Sequence, residues 1–157
     1  MQITRSIRFV IFVFLGFLVG CSSAEIPVYN VSGTVTYQGK PVAGALVSFV
    51  PEVPEIRGAA AMTDSNGQFV VVTQGAKENG AMYGKYKITV TKLIEVDNVG
   101  NEVIRKPVAE YNPNNKQVEI QYKQKNLLPE KYSKQDTTDL TVTVEKRKNN
   151  FKLELTD

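Results

Sequence analysis

Histidine is absent from all 157 residues, tryptophan is absent too, and cysteine occurs once. Each gap removes some chemistry. Without histidine there is no Ser-His-Asp or Cys-His relay and no imidazole-based zinc site. Without tryptophan, any sugar-stacking platform lacks the largest ring. One cysteine permits no disulfide within the chain, so the core alone must hold the fold. A surplus of charge is also lacking: 19 basic residues face 16 acidic ones, a formal balance of +3. Arg5 and Arg8 lie in the first 20 residues, and without them the balance is +1. Such a chain has no broad field for nucleic acid, and no nucleic-acid partner is expected.

The start of the chain has the layout of an export signal. Arg5 and Arg8 form a basic segment, Phe9 to Val19 are uninterruptedly apolar, and the small Gly20 precedes a change to polar residues. A spanning helix needs about 20 apolar residues. This run is nearer the roughly 7–15 of a signal, which favours removal of residues 1–20 over a retained anchor.

The single cysteine follows at once, in Leu18-Val19-Gly20-Cys21. A branched apolar residue, two smaller ones and a cysteine resemble the lipobox of bacterial lipoproteins. That resemblance implies a diacylglycerol on the Cys21 thiol, cleavage before Cys21, and acylation (palmitate) of the new amino terminus. One acyl chain holds a membrane marginally, whereas several anchor stably. The alternative is an incidental cysteine beside an ordinary signal cleavage site. Ser22 stands where an aspartate would favour the inner membrane, so the resemblance favours the outer one. Residues 21–29 then form a lipidated tether.

From residue 30 onward the pattern is period-2 alternation, with no helical stripe over several turns. "VSGTVTY" places Val31, Gly33, Val35 and Tyr37 on one face. "GALVSFVP" is apolar on both faces, as in a central strand. "AAAMT" and "FVVVT" flank the turn-forming "TDSNGQF", which predicts a tight hairpin. "KYKITVTK" turns Tyr86, Ile88 and Val90 inward, and Leu93 to Lys106 predicts a second hairpin turning at Val99-Gly100. "VEIQYK", "LTVTVE" and "FKLELT" alternate again, with "KRKNN" as a solvated turn and Leu127 and Leu128 plugging the core. Seven to nine short strands at this spacing predict an all-β antiparallel sandwich over residues 30–157. A chain of that length buries enough surface to stand without covalent staples.

Three segments carry a resemblance to the carboxypeptidase regulatory-like domains, which share the transthyretin-like (prealbumin-like) β-sandwich. They are "SGTVTYQGKPVAGALVSFVP", "MTDSNGQFVV" and "GKYKITVTK", and the ending from Leu127 resembles small lipoproteins carrying one such domain. The shared residues are turn glycines (Gly33, Gly39, Gly44, Gly67, Gly84) and core aromatics (Phe49, Phe69, Tyr86). The resemblance therefore implies a scaffold, used for adhesion, docking or assembly. Residues 93–125 match it least. The hydroxyisourate hydrolases of the same fold depend on histidines and a Tyr-Arg-Gly-Ser ending. This chain has neither, and that activity is not implied.

No catalytic, cofactor-binding or metal-binding residues are expected. Carboxylate pairs such as Glu52 with Glu55, or Glu130 with Asp136, fall in loops where acids ordinarily face solvent. Asp64-Ser65-Asn66-Gly67 has the flavour of a calcium loop, but Gly75 stands where the bidentate glutamate belongs. An Asx-Gly turn explains it without an ion. Tyr83, Tyr111, Tyr122 and Tyr132 could form a stacking platform for sugar, or could simply cap the ends of the sandwich. "EKRKNNFK" (Glu145 to Lys152) could meet phosphates or headgroups, or be a charged hairpin turn. The expectation is a membrane-anchored envelope lipoprotein whose non-catalytic module binds an envelope protein or glycan. A wall-binding module using loop tyrosines is the alternative, and a small carboxylate hydrolase is a third reading.

Overall fold

Eleven short strands and one 3₁₀ turn form the computed structural model, which describes residues 25–97, 99–103 and 123–157. The strands are β1 (Val31–Tyr37), β2 (Lys40–Pro41), β3 (Leu46–Pro51), β4 (Ala59–Met62), β5 (Gln68–Val70) and β6 (Val72–Thr73). They continue with β7 (Gly84–Thr91), β8 (Leu93–Val96), β9 (Lys123–Asn126), β10 (Thr141–Val144) and β11 (Asn149–Leu155). The 3₁₀ turn is Glu130–Ser133. Since β2 and β6 have two residues each, nine longer strands carry the architecture, at the upper end of the expected number.

The fold is an all-β sandwich. One sheet runs β10-β7-β3-β4-β6, antiparallel throughout. The other is built around β1, with β11 on one side and β2 and β5 on the other. β1 and β11 pair in parallel over seven residues, from Val31 with Asn149 to Tyr37 with Leu155. Parallel neighbours need a crossover, which the rest of the domain supplies. β8 and β9 form a separate two-stranded ribbon.

The alternation is satisfied where it was read most clearly. Val31, Val35, Val47, Tyr86, Ile88, Val90 and Val144 are fully buried, and Leu153 and Leu155 nearly so. Phe49 lies at the centre, edge-on to Phe69 (centroids 6.3 Å apart) and Tyr86 (5.8 Å), and tilted against Phe151 (6.4 Å). Gly33 makes room for this cluster. A Cβ there would collide with the Phe151 carbonyl oxygen and come within 2.6 Å of Phe69 Cζ.

Three local expectations are corrected. The turn at Asp64–Gly67 does not close a hairpin. β4 lies in the five-stranded sheet, β5 pairs with β1 in the other, and β6 returns to pair with β4. Val71, fully buried between β5 and β6, is the pivot of that return. The turn at Glu145–Lys148 likewise carries the chain between sheets, from β10 to β11, and is no hairpin. Leu128 is buried as expected, but Leu127 is 42% exposed.

The second hairpin is present in part. Val96 bridges Glu102 and the Val103 amide donates to the Glu95 carbonyl at 2.8 Å, but the longer partner of β8 is β9. Of the expected strand "VEIQYK", only Lys123 falls within the described residues.

One turn design occurs twice. Asp64 Oδ1 accepts the amides of Asn66 and Gln68, each at 2.8 Å. Asp97 Oδ1 accepts those of Val99 and Asn101, each at 2.9 Å. In both, a glycine three residues on (Gly67, Gly100) takes positive φ and donates its amide to the aspartate carbonyl.

Candidate functional site

The strands that alternate also leave an outward face, and on the β1 sheet that face is concave. Ser32 and Thr34 project from β1, Gln68 and Val70 from β5, and Asn150 from β11, in register across the sheet. With Asp64 and Met62 from the edge where the chain changes sheets, they line a trough of about 540 Å³. Gly33 belongs to its floor. The trough's polar groups are hydroxyls, amides and the Asp64 carboxylate, and Asn150 Nδ2 donates to Ser32 Oγ at 3.1 Å. Met62, 63% exposed, supplies an apolar wall together with Val70. Such a surface offers mostly neutral donors and acceptors, with one carboxylate, beside apolar contact. It suits a hydroxyl-bearing or amide-bearing chain better than a compact charged ligand.

Of this trough only Asp64, Gly33 and Phe69 were singled out from sequence, as turn and packing residues. Ser32, Thr34, Gln68 and Asn150 are ordinary outward residues of alternating strands. Their convergence depends on β5 and β11 both pairing with β1, which no local pattern shows.

The residues that were singled out are scattered. Cys21, Tyr111 and Tyr122 lie outside the described residues. Tyr132 is 1% exposed, and its hydroxyl accepts the Thr156 amide at 3.0 Å. It is therefore a core residue and drops out of any sugar platform. Tyr83 is 54% exposed, with Lys146 Nζ 5.2 Å from its ring centroid. Tyr86 is buried; that environment pushes its hydroxyl up to about 12, and the hydroxyl donates to the Met82 carbonyl at 2.9 Å.

The carboxylates sit in ion pairs or in solvent. Glu52 pairs with Lys85 at 3.2 Å, and Glu55 is exposed. Glu130 pairs with Lys134 at 2.9 Å, and this partner holds its carboxyl below the usual range, opposite to what a general acid needs. Asp136 is exposed. Asp64 Oδ1 is committed to two backbone amides, and among the described residues no three acidic, cysteine or histidine side chains gather as a metal site.

In the charged turn after β10, Arg147 Nε meets Glu145 Oε2 at 2.5 Å. Asn149, buried, ties the turn together by accepting the Glu145 amide (2.9 Å) and donating to the Glu145 and Arg147 carbonyls (3.1 and 2.6 Å).

At the start of the described chain, Tyr29 and Ala81 form an isolated antiparallel bridge. Before it, Glu25 pairs with Lys77 at 3.4 Å, and Glu25 to Val28 line a hollow with Lys77 and Glu78. Comparison with known proteins finds no matching family model, no similar curated protein and no matching solved structure.

Proposed function

We propose that this chain is an exported lipoprotein of the bacterial cell envelope, anchored through Cys21, with a non-catalytic β-sandwich as its binding module. The signal layout of residues 1–20 and the Leu18-Val19-Gly20-Cys21 lipobox support the anchor. Ser22 favours the outer membrane. The carboxypeptidase regulatory-like resemblance belongs to the same reading. It accounts for why the recognisable residues are turn glycines and core aromatics, parts of a scaffold.

The observation that carries the binding role is the trough on the β1 sheet. It gathers Ser32, Thr34, Gln68 and Asn150 on one face, with Asp64 at its edge. Its hydroxyl and amide lining, with a single carboxylate, favours a glycan among envelope ligands, and this moves the wall-binding alternative from the loop tyrosines to the sheet face. Affinity electrophoresis through gels containing cell-wall polysaccharide tests this. The protein is expected to be retarded, and Gln68→Ala with Asn150→Ala is expected to abolish the retardation without changing the unfolding midpoint. Unretarded migration in every polysaccharide would remove the glycan reading and leave an envelope protein as the partner.

A further inference from the structure

The way the chain enters the sandwich determines which end of it meets the bilayer. This inference rests on anchoring at Cys21. Tyr29 exchanges two backbone hydrogen bonds with Ala81, and Glu25 is already paired with Lys77. Ser22, Ser23 and Ala24 alone separate the proposed lipid-bearing residue from Glu25. Four residue steps span at most about 13–14 Å even fully extended. Counted from the backbone bridge at Tyr29, eight steps span at most about 26–29 Å, so the end of the sandwich holding Tyr29 is the end kept nearest the bilayer.

The strand registers show what else that end carries. Gly84 opens β7 opposite Val144, the last residue of β10, so Tyr83 and the 145–148 turn share this end. The Glu52 amide bonds to the Lys85 carbonyl, which places the 52–58 loop there too. Three basic side chains at this end are matched by carboxylates: Lys77 by Glu25, Lys85 by Glu52 and Arg147 by Glu145. Lys146 and Lys148 have no carboxylate partner among the described residues. Lys146 instead stands over the ring of Tyr83, which is exposed, as is Val53 in the neighbouring loop. An amphipathic ring, an aliphatic side chain and two ammonium groups without a carboxylate partner among the described residues are the combination that suits a phosphate-bearing interface. Glu55 and Glu78 also lie at this end, so the attraction is local to Tyr83 and the 145–148 turn, and the short tether provides the proximity.

We propose that the Tyr83–Lys146 end of the sandwich lies against the lipid headgroups of the anchoring membrane, leaving the opposite end and the β1-sheet trough open to the envelope. The opposite end begins where β7 ends. Seven residue rises along β7 place Thr91, and Leu93 just after it, about 24 Å further from the bilayer.

The absence of tryptophan makes a direct test available. Full-length lipoprotein carrying Tyr83→Trp or, separately, Leu93→Trp, an exposed position, is reconstituted into phosphatidylethanolamine–phosphatidylglycerol vesicles, and quenching by lipids brominated near the headgroup is compared. Trp at 83 is expected to be quenched several-fold more strongly than Trp at 93, and Lys146→Glu with Lys148→Glu is expected to reduce that quenching. Equal and weak quenching at both sites, in protein that floats with the vesicles, would overturn the orientation while leaving the anchor intact. Protein that fails to float at all would instead overturn the anchor.

Discussion

Tyr29 and Ala81 exchange both of their backbone hydrogen bonds, at 2.8 and 3.0 Å. The pairing fixes the incoming chain to one end of the sandwich two residues before β1 begins. Thr73 Oγ1, buried, donates to the Gly80 carbonyl at 2.9 Å and steadies the same loop from inside. The connection between the proposed anchor and the domain is thereby short, and what the domain presents follows from that.

Gly33→Ala is expected to destabilise the fold by about 3 kcal/mol, the upper end for overpacking, because one obstacle is the Phe151 backbone oxygen and cannot rotate aside. Urea unfolding followed by circular dichroism measures it. A change below about 0.5 kcal/mol, the level of an ordinary surface substitution, would mean that the β1–β11 packing is looser than described.

Phe49→Ala is expected to cost about 3–5 kcal/mol, since its ring touches three others at the centre of the core. Tyr83→Ala, at an exposed ring, is expected to stay within about 0.5 kcal/mol of the wild type. The two substitutions in one unfolding series separate the buried aromatic cluster from the exposed one.

What was legible in advance follows from the reach of each signal. Val31, Val35, Tyr86, Ile88 and Val90 are buried because a two-residue period is local, and a local pattern survives any sheet arrangement. Pairing partners are not local. Asp64–Gly67 has the composition of a hairpin turn, and its hydrogen bonds are those of a tight turn, but the strands it joins belong to different sheets. Tyr132 reads as a loop residue because its 3₁₀ turn is one turn long. Its ring joins the core cluster, and its hydroxyl accepts the amide of Thr156, 24 residues away. The trough escaped for the same reason: Asn150 and Ser32 are 118 residues apart and meet only through the parallel β1–β11 register.

Stability is expected to depend on pH through the contact that closes the far end of β11. Tyr37 donates to Asp157 Oδ1 at 2.5 Å and Gln38 Nε2 to Oδ2 at 2.8 Å, while Lys131 Nζ reaches the Asp157 carbonyl at 2.8 Å. The hydrogen bonds from Tyr37 and Gln38 hold the Asp157 carboxyl below its usual range. A lowered pKa contributes stability above the unfolded value, lost as pH falls through the folded one. The same hydrogen bond raises the Tyr37 hydroxyl, whose contribution is present below its unfolded value near 10 and lost as pH rises through the folded one. Melting temperature against pH should therefore decline on both flanks, and Asp157→Asn should flatten both declines. Unaltered flanks in that variant would show that the contact is not coupled to folding.

Calcium is expected to leave the unfolding midpoint unchanged, because Asp64 Oδ1 already accepts the Asn66 and Gln68 amides. Asp64→Ala is expected to cost about 1 kcal/mol, the scale of a net hydrogen bond at an exposed turn. A midpoint that rises with millimolar calcium, and ceases to rise in Asp64→Ala, would identify the turn as an ion site instead.

Intact-mass and peptide mass spectrometry of the protein purified from membranes tests the central claim most directly. The account predicts a chain beginning at Cys21, with a diacylglycerol on its thiol and an acyl group on its amine. A free Cys21 thiol, or a chain that still carries residues 1–20, would contradict it.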